Sequence, residues 1–120
     1  MFHSDSTLND AGTCLIREID IAPAFLVERF GEPLPGDGER CTGRYKFRGD
    51  DGTLFTVYEY KSTAAYLDGD DHAPPPDAFW RSREEHELSI GGRGDYGDGS
   101  ADAFFDWLMG EYRQWQSAGG

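Results

Sequence analysis

Apolar residues recur along this chain with two different spacings, and the switches between them mark out its elements. Thr13–Ile19 (TCLIREI) is dense in apolar and β-branched residues and predicts a first strand. The spacing then becomes helical, with Phe25, Leu26, Arg29 and Phe30 on one side. Asp20 or a neighbour is placed to cap this helix, Pro23 suits its first turn, Gly31 a left-handed C-terminal cap, and Pro33 stops it. After a turn-rich connection, Leu34–Glu39, strict alternation returns in Arg40–Arg48. Cys41, Gly43, Tyr45 and Phe47 fall on one face there, and Thr42, Arg44, Lys46 and Arg48 on the other. Gly49–Gly52 (GDDG) reads as a hairpin turn and Thr53–Lys61 as its return strand. A two-residue turn at Asp51-Gly52 would set Arg44 opposite Glu59 and Lys46 opposite Val57.

Glu85–Gly91 predicts a further strand with His86, Leu88 and Ile90 alternating, whereas Gly91–Gly99 is too glycine-dense to be regular. From Ser100, a candidate N-cap followed by Asp102, the residues Ala101, Phe104, Phe105, Leu108, Met109 and Tyr112 repeat at helical spacing. Residues 1–11 are polar and aperiodic and are expected to be a flexible start, and residues 117–120 a flexible tail. Residues 62–83 are acidic, with Pro74, Pro75 and Pro76 in a row, which neither a helix interior nor a central strand tolerates. They predict an exposed loop whose end Phe79 and Trp80 pin to the core. The expected fold is a single α+β domain over residues 12–116, in the order β-α-β-β-β-α. An antiparallel sheet of three to four strands would be packed by one or two helices.

Charge narrows the function. Twenty-three Asp and Glu against eleven Lys and Arg leave a formal net charge of −12. Such a field repels nucleic-acid backbone and anionic membranes and steers toward basic protein surfaces. No direct nucleic-acid or membrane contact is therefore expected. Two cysteines, Cys14 and Cys41, are too few for a disulfide scaffold and read as buried thiols of a reducing compartment. With no signal-like or membrane-length apolar stretch, the chain is expected to be soluble and cytoplasmic.

Candidate chemistry is sparse. The glycine turns at Gly36–Gly38 and Ile90–Gly99 lack a dinucleotide-binding or phosphate-loop pattern and read as structural. Asp68, Asp70, Asp71 and Asp77 match a calcium loop only in part. Cys14, Cys41, His3, His72 and His86 have no zinc spacing, so no metal or cofactor is expected. No serine sits in a nucleophile elbow. Arg44, Lys46 and Arg48 form the one basic sheet face, with Tyr58, Tyr60 and Lys61 nearby. It reads as a solvated face or as an anion contact.

The series FGEPLPGDG (Phe30–Gly38), DGTLFTVYEYK (Asp51–Lys61) and IGG (Ile90–Gly92) resembles small uncharacterised proteins of bacteriophages and mobile elements. The resemblance implies a compact α+β accessory protein, an antagonist of host defence such as an anti-CRISPR, working in the host cytoplasm.

Three classes of function remain open. The first is a non-enzymatic inhibitor that docks on the basic surface of a nucleic-acid-handling complex. Its contacts would be the acids Asp68, Asp70, Asp71, Asp77, Asp95 and Asp98, with Trp80 and Tyr96 as aromatic anchors. The second is a small enzyme or ligand-binding domain with His86, Glu59, Tyr58 and Arg93 converging near the glycine loop at 90–99. The third is an assembly protein that pairs through an exposed sheet edge.

Overall fold

One antiparallel sheet organises the chain, and its helices pack on one face of it. The computed structural model describes residues 2–8, 13–35, 43–50, 52–59, 76–93 and 100–119. In chain order the elements are β1 (Phe2–Ser4), β2 (Thr13–Ile21), α1 (Pro23–Phe30), β3 (Leu34–Pro35), β4 (Gly43–Gly49), β5 (Leu54–Tyr58), α2 (Pro76–Trp80), β6 (His86–Arg93) and α3 (Ser100–Ser117). The sheet has six strands, in the order β1-β4-β5-β6-β2, with β3 also pairing β4. The expected α+β class and the order of the main elements hold, but the sheet is larger than three to four strands. A third, short helix, α2, lies inside the segment expected to be a loop, its Pro76 at the first helical position where proline is tolerated.

The added strands are very short. β1 lies in the segment expected to be an irregular start, and it pairs Phe2 with Gly49 and Ser4 with Phe47. Its hold comes from Phe2, whose ring meets Phe55 at 5.8 Å, Phe104 at 5.2 Å and Trp107 at 5.6 Å. β3 pairs Leu34 with Arg44 and Pro35 with Gly43. β1 and β3 thus lie end to end along the outer edge of β4. The other edge is β2, whose register against β6 shifts between Leu15 and Arg17. That irregularity, the charges of Arg17, Glu18 and Asp20, and the short opposite edge all work against pairing with another sheet.

The β4–β5 hairpin is off the expected register by one residue. Arg44 pairs with Tyr58 and Lys46 with Thr56, rather than with Glu59 and Val57. The turn holds three residues, closed by Gly49 N–H to Thr53 O (2.9 Å) and Gly52 N–H to Gly49 O (3.0 Å). Gly52 takes a positive φ, +87°, in this turn. This register puts Phe47 opposite Phe55 and Tyr45 opposite Val57, all four buried. β6 runs through Gly91, the expected end of the strand, and on into Gly92, which was expected in an irregular loop; the two lie opposite Thr56 and Phe55. Gly92 has no side chain to compete with the Phe55 ring.

Helix α1 begins at Pro23 as predicted, yet Asp20 lies in β2 and the cap residue is Ala22, with no side-chain cap bond. The first amides find other acceptors: Ala24 N–H donates to Ser82 O at 3.0 Å and Phe25 N–H to Ala22 O at 3.0 Å. Gly31 ends the helix with φ +91° and ψ −176°, a positive φ that leads into extended chain rather than a left-handed turn. Along α3 the buried line is Phe104, Leu108, Tyr112 and Trp115, while Phe105 and Met109 are half-buried at its flank. Phe104 stacks on Phe55 with centroids 4.5 Å apart and planes 2° from parallel. Phe25 of α1 meets Tyr112 at 5.3 Å and Trp115 at 5.8 Å, which fixes the two helices to each other.

Gly43 shows how tight the far end of this core is. A Cβ there would lie 2.8 Å from Cζ2 of Trp80 and 2.9 Å from Cβ of Pro33. Gly43→Ala is expected to cost about 1–3 kcal/mol by overpacking. Urea denaturation checks this, and an unchanged midpoint would mean that Trp80 does not pack there.

Candidate functional site

The proposed contact residues divide sharply. Asp68, Asp70, Asp71, Asp95, Tyr96 and Asp98 lie outside the described residues, as do His72 and Cys41. Asp77 belongs to the backbone of α2. Trp80, expected as an aromatic anchor for a partner, is 6% exposed and packs edge-on against Tyr45 at 5.8 Å. Its indole fastens α2 to the core and leaves only a rim on the surface.

The residues expected to converge near the glycine loop do not converge. His86 and Arg93 are the two ends of β6, a separation of about 23 Å at the usual rise per strand residue. Tyr58 pairs with Ser89, and Glu59, buried at 1% exposure, follows it at the end of β5 nearer His86. His86 instead meets Ser82, its Nε2 3.0 Å from Oγ, with its ring 5.1 Å from that of Phe79. Ser82 Oγ also accepts the Glu84 N–H at 3.2 Å, and its carbonyl receives Ala24 N–H. A serine hydroxyl within hydrogen-bond distance of a histidine ring nitrogen resembles half of a nucleophile–base pair. Among the described residues no third group orients His86 and no paired donors face Ser82 Oγ. The pair works as a turn lock between α2 and β6.

The best-built polar cluster joins α1, α3 and residues 81–85. Trp115 Nε1–H donates to Glu28 Oε1 at 3.1 Å, and Arg83 donates to Glu28 Oε2 at 2.7 Å. The Arg83 guanidinium also sits 5.1 Å from the Trp115 ring centroid. The Trp115 N–H, and then Arg83, hold the Glu28 carboxyl below its ordinary range. Tyr112 Oη accepts the Ala22 N–H at 3.2 Å and donates to Glu85 Oε2 at 3.0 Å. Burial first, and then Glu85, push the Tyr112 hydroxyl up. Beside this cluster lies a concavity of about 220 Å³ lined by Ala24, Val27, Glu28, Trp80, Arg81 and Arg83. Of its charged lining residues, Glu28 and Arg83 already bond each other.

The basic sheet face is likewise engaged within the chain. Arg44 donates to Pro35 O, Lys46 Nζ to Leu8 O at 2.6 Å, and Arg48 lies 3.9 Å from Asp5. These cations tie β3 and Asp5–Leu8 to β4 rather than presenting an open anion site. Among the described residues no group of three or more His, Cys, Asp and Glu is arranged to hold a metal ion. No helix of the described residues is long and apolar enough to cross a membrane. No family model and no curated protein matches the chain.

A second concavity, about 430 Å³ and shallow, runs along the outer side of α3 between Asp106, Trp107, Gly110, Glu111 and Gln114. Sequence reasoning passed over it because Trp107 stands off the apolar stripe. The lone glycine inside a periodic helix was the available signal. The Glu28–Arg83–Trp115 group had none, since its members are 55 and 87 residues apart.

Two variants test the polar cluster. Tyr112→Phe removes the hydroxyl that joins Ala22 to Glu85 and is expected to cost about 1–2 kcal/mol in denaturant unfolding. Glu28 has a lowered folded pKa, so its contribution is present above its ordinary 4.5 and is lost as pH falls through the folded value. Glu28→Gln is therefore expected to flatten the fall of thermal stability below pH 4.5, and an unchanged acid limb would contradict the assignment.

Proposed function

We propose that this chain is a non-enzymatic acidic binding protein, an inhibitor of the bacteriophage type that docks on the nucleic-acid-binding surface of a host defence complex. The observation that carries the reading is the net charge of −12 on a chain of 120 residues. A field of that sign attracts surfaces that evolved to hold phosphates and competes with the nucleic acid for them. Arg44, Lys46 and Arg48 are held by groups of the chain itself, so the basic sheet face is not an open anion site that would point to a different kind of partner. The bacteriophage-like motifs fit a scaffold role, since Gly31 ends α1 and Gly52 closes the hairpin. The proposed contacts are Asp68, Asp70, Asp71, Asp77, Asp95 and Asp98 with Tyr96, and the host cytoplasm is where they would act. No cofactor enters this reading.

The reading predicts salt-sensitive capture. Affinity purification from host lysate at low ionic strength is expected to recover a basic nucleic-acid-binding protein. The combined variant Asp68→Lys, Asp70→Lys, Asp71→Lys is expected to lose it at the same salt. Equal capture by the variant, or turnover of a metabolite by the purified chain, would contradict the proposal.

A further inference from the structure

Gly110 sits in the middle of an eighteen-residue helix, and a Cβ built there meets nothing within 4 Å. Neither close packing nor a positive φ calls for glycine, yet it costs about 1 kcal/mol against alanine in a helix interior. Its effect is to open the surface beside Trp107, one turn earlier. That indole is held firmly on its inner side, with centroids 5.9 Å from Phe47, 5.6 Å from Phe2 and 6.1 Å from Phe104. It remains half-buried, so part of it faces the concavity.

The polar lining has one character. Asp106 is exposed and makes no ion pair among the described residues, and Glu111 and Gln114 present side-chain oxygens. One guanidinium already uses this rim: Arg29 donates to Glu111 Oε2 at 3.0 Å and to Gln114 Oε1 at 3.3 Å. The groove's chemistry therefore suits a planar cation on its α1 side and leaves Asp106 and the exposed part of Trp107 for another. An arginine fits best, because its fork pairs with a carboxylate while its plane stacks on an indole.

The geometry points to the outer face of α3 as a docking surface for an arginine-bearing segment of a basic protein partner, with one guanidinium between Asp106 and Trp107 over the gap left by Gly110. This rests on the proposed function and adds a second contact region, separate from the loop aspartates. The charge match is what commits it to a basic occupant rather than to another copy of this acidic chain.

The test is a titration of the isotope-labelled full chain with a short capped peptide of arginine and alanine, followed by amide chemical shifts at low salt. Shift changes centred on Asp106–Gln114 are expected. Gly110→Gln, which fills the gap while favouring the helix, and Asp106→Lys are each expected to weaken binding roughly tenfold. The triple loop variant is expected to leave the α3 shifts in place. Shifts centred elsewhere, or Gly110→Gln and Asp106→Lys variants that bind like the parent, would overturn this inference and spare the proposed function. No binding at low salt would count against both. α3 shifts that depend on protein concentration without peptide would assign the face to a second copy, and so overturn it.

Discussion

The stacking of Phe104 on Phe55 is the contact from which the rest of the molecule is organised. It joins the middle of the sheet to the first turns of α3, and Phe2 and Phe47 close around it. Each such ring removes a large apolar area from water, and the parallel and edge-on pairs add about 0.5–1.5 kcal/mol apiece. The sequence supports this one layer with local choices. Gly92 leaves space opposite Phe55, and the three-residue turn brings Phe47 level with it. A shift of one residue in the hairpin would carry that ring off the core face.

With the inner side of α3 committed in this way, its outer side is a fixed platform. Trp115 and Tyr112 extend the attachment toward the C-terminal end, through hydrogen bonds to Glu28, Glu85 and the Ala22 amide. Those bonds also hold α1 and residues 82–85 in place. In the proposed binding role, charge on such a platform would act through a constant arrangement, and association would cost less ordering of the acidic protein. The described surface has concavities but no convergent reactive set.

Much of this architecture was legible in the chain. Pro23 and Gly31 marked the ends of α1, the GDDG turn marked the hairpin, and helical spacing marked α3. The failures each have a physical cause. Asp-Gly suggested a two-residue turn, but the bond from Gly49 N–H to Thr53 O closes a loop one residue longer. β1 is too short to show alternation and exists because a single ring, Phe2, finds an aromatic pocket built by distant residues. Gly91 and Gly92 have low strand propensity, and their place is set by the ring of Phe55 across the ladder. Phe79 and Trp80 pin the end of the loop to the core as expected, and it is that burial, with the Trp80 indole in the slot beside Gly43 and Pro33, that leaves Trp80 little surface to serve as an anchor for a partner. The Glu28, Arg83 and Trp115 group depends on three elements meeting in space and leaves no local trace. Gly110 was visible as an exception inside the α3 pattern, and its meaning came from the empty space around it.

Native-state amide hydrogen exchange of α3 against β5 and β6 tests the central claim most directly, because it asks whether helix and sheet open as one unit. The account predicts that the slowest amides around Phe104–Tyr112 match those of Phe55–Val57 and Leu88–Ile90, exchanging only through global unfolding. An α3 that exchanges through its own low-energy opening, while the sheet stays protected, would contradict it.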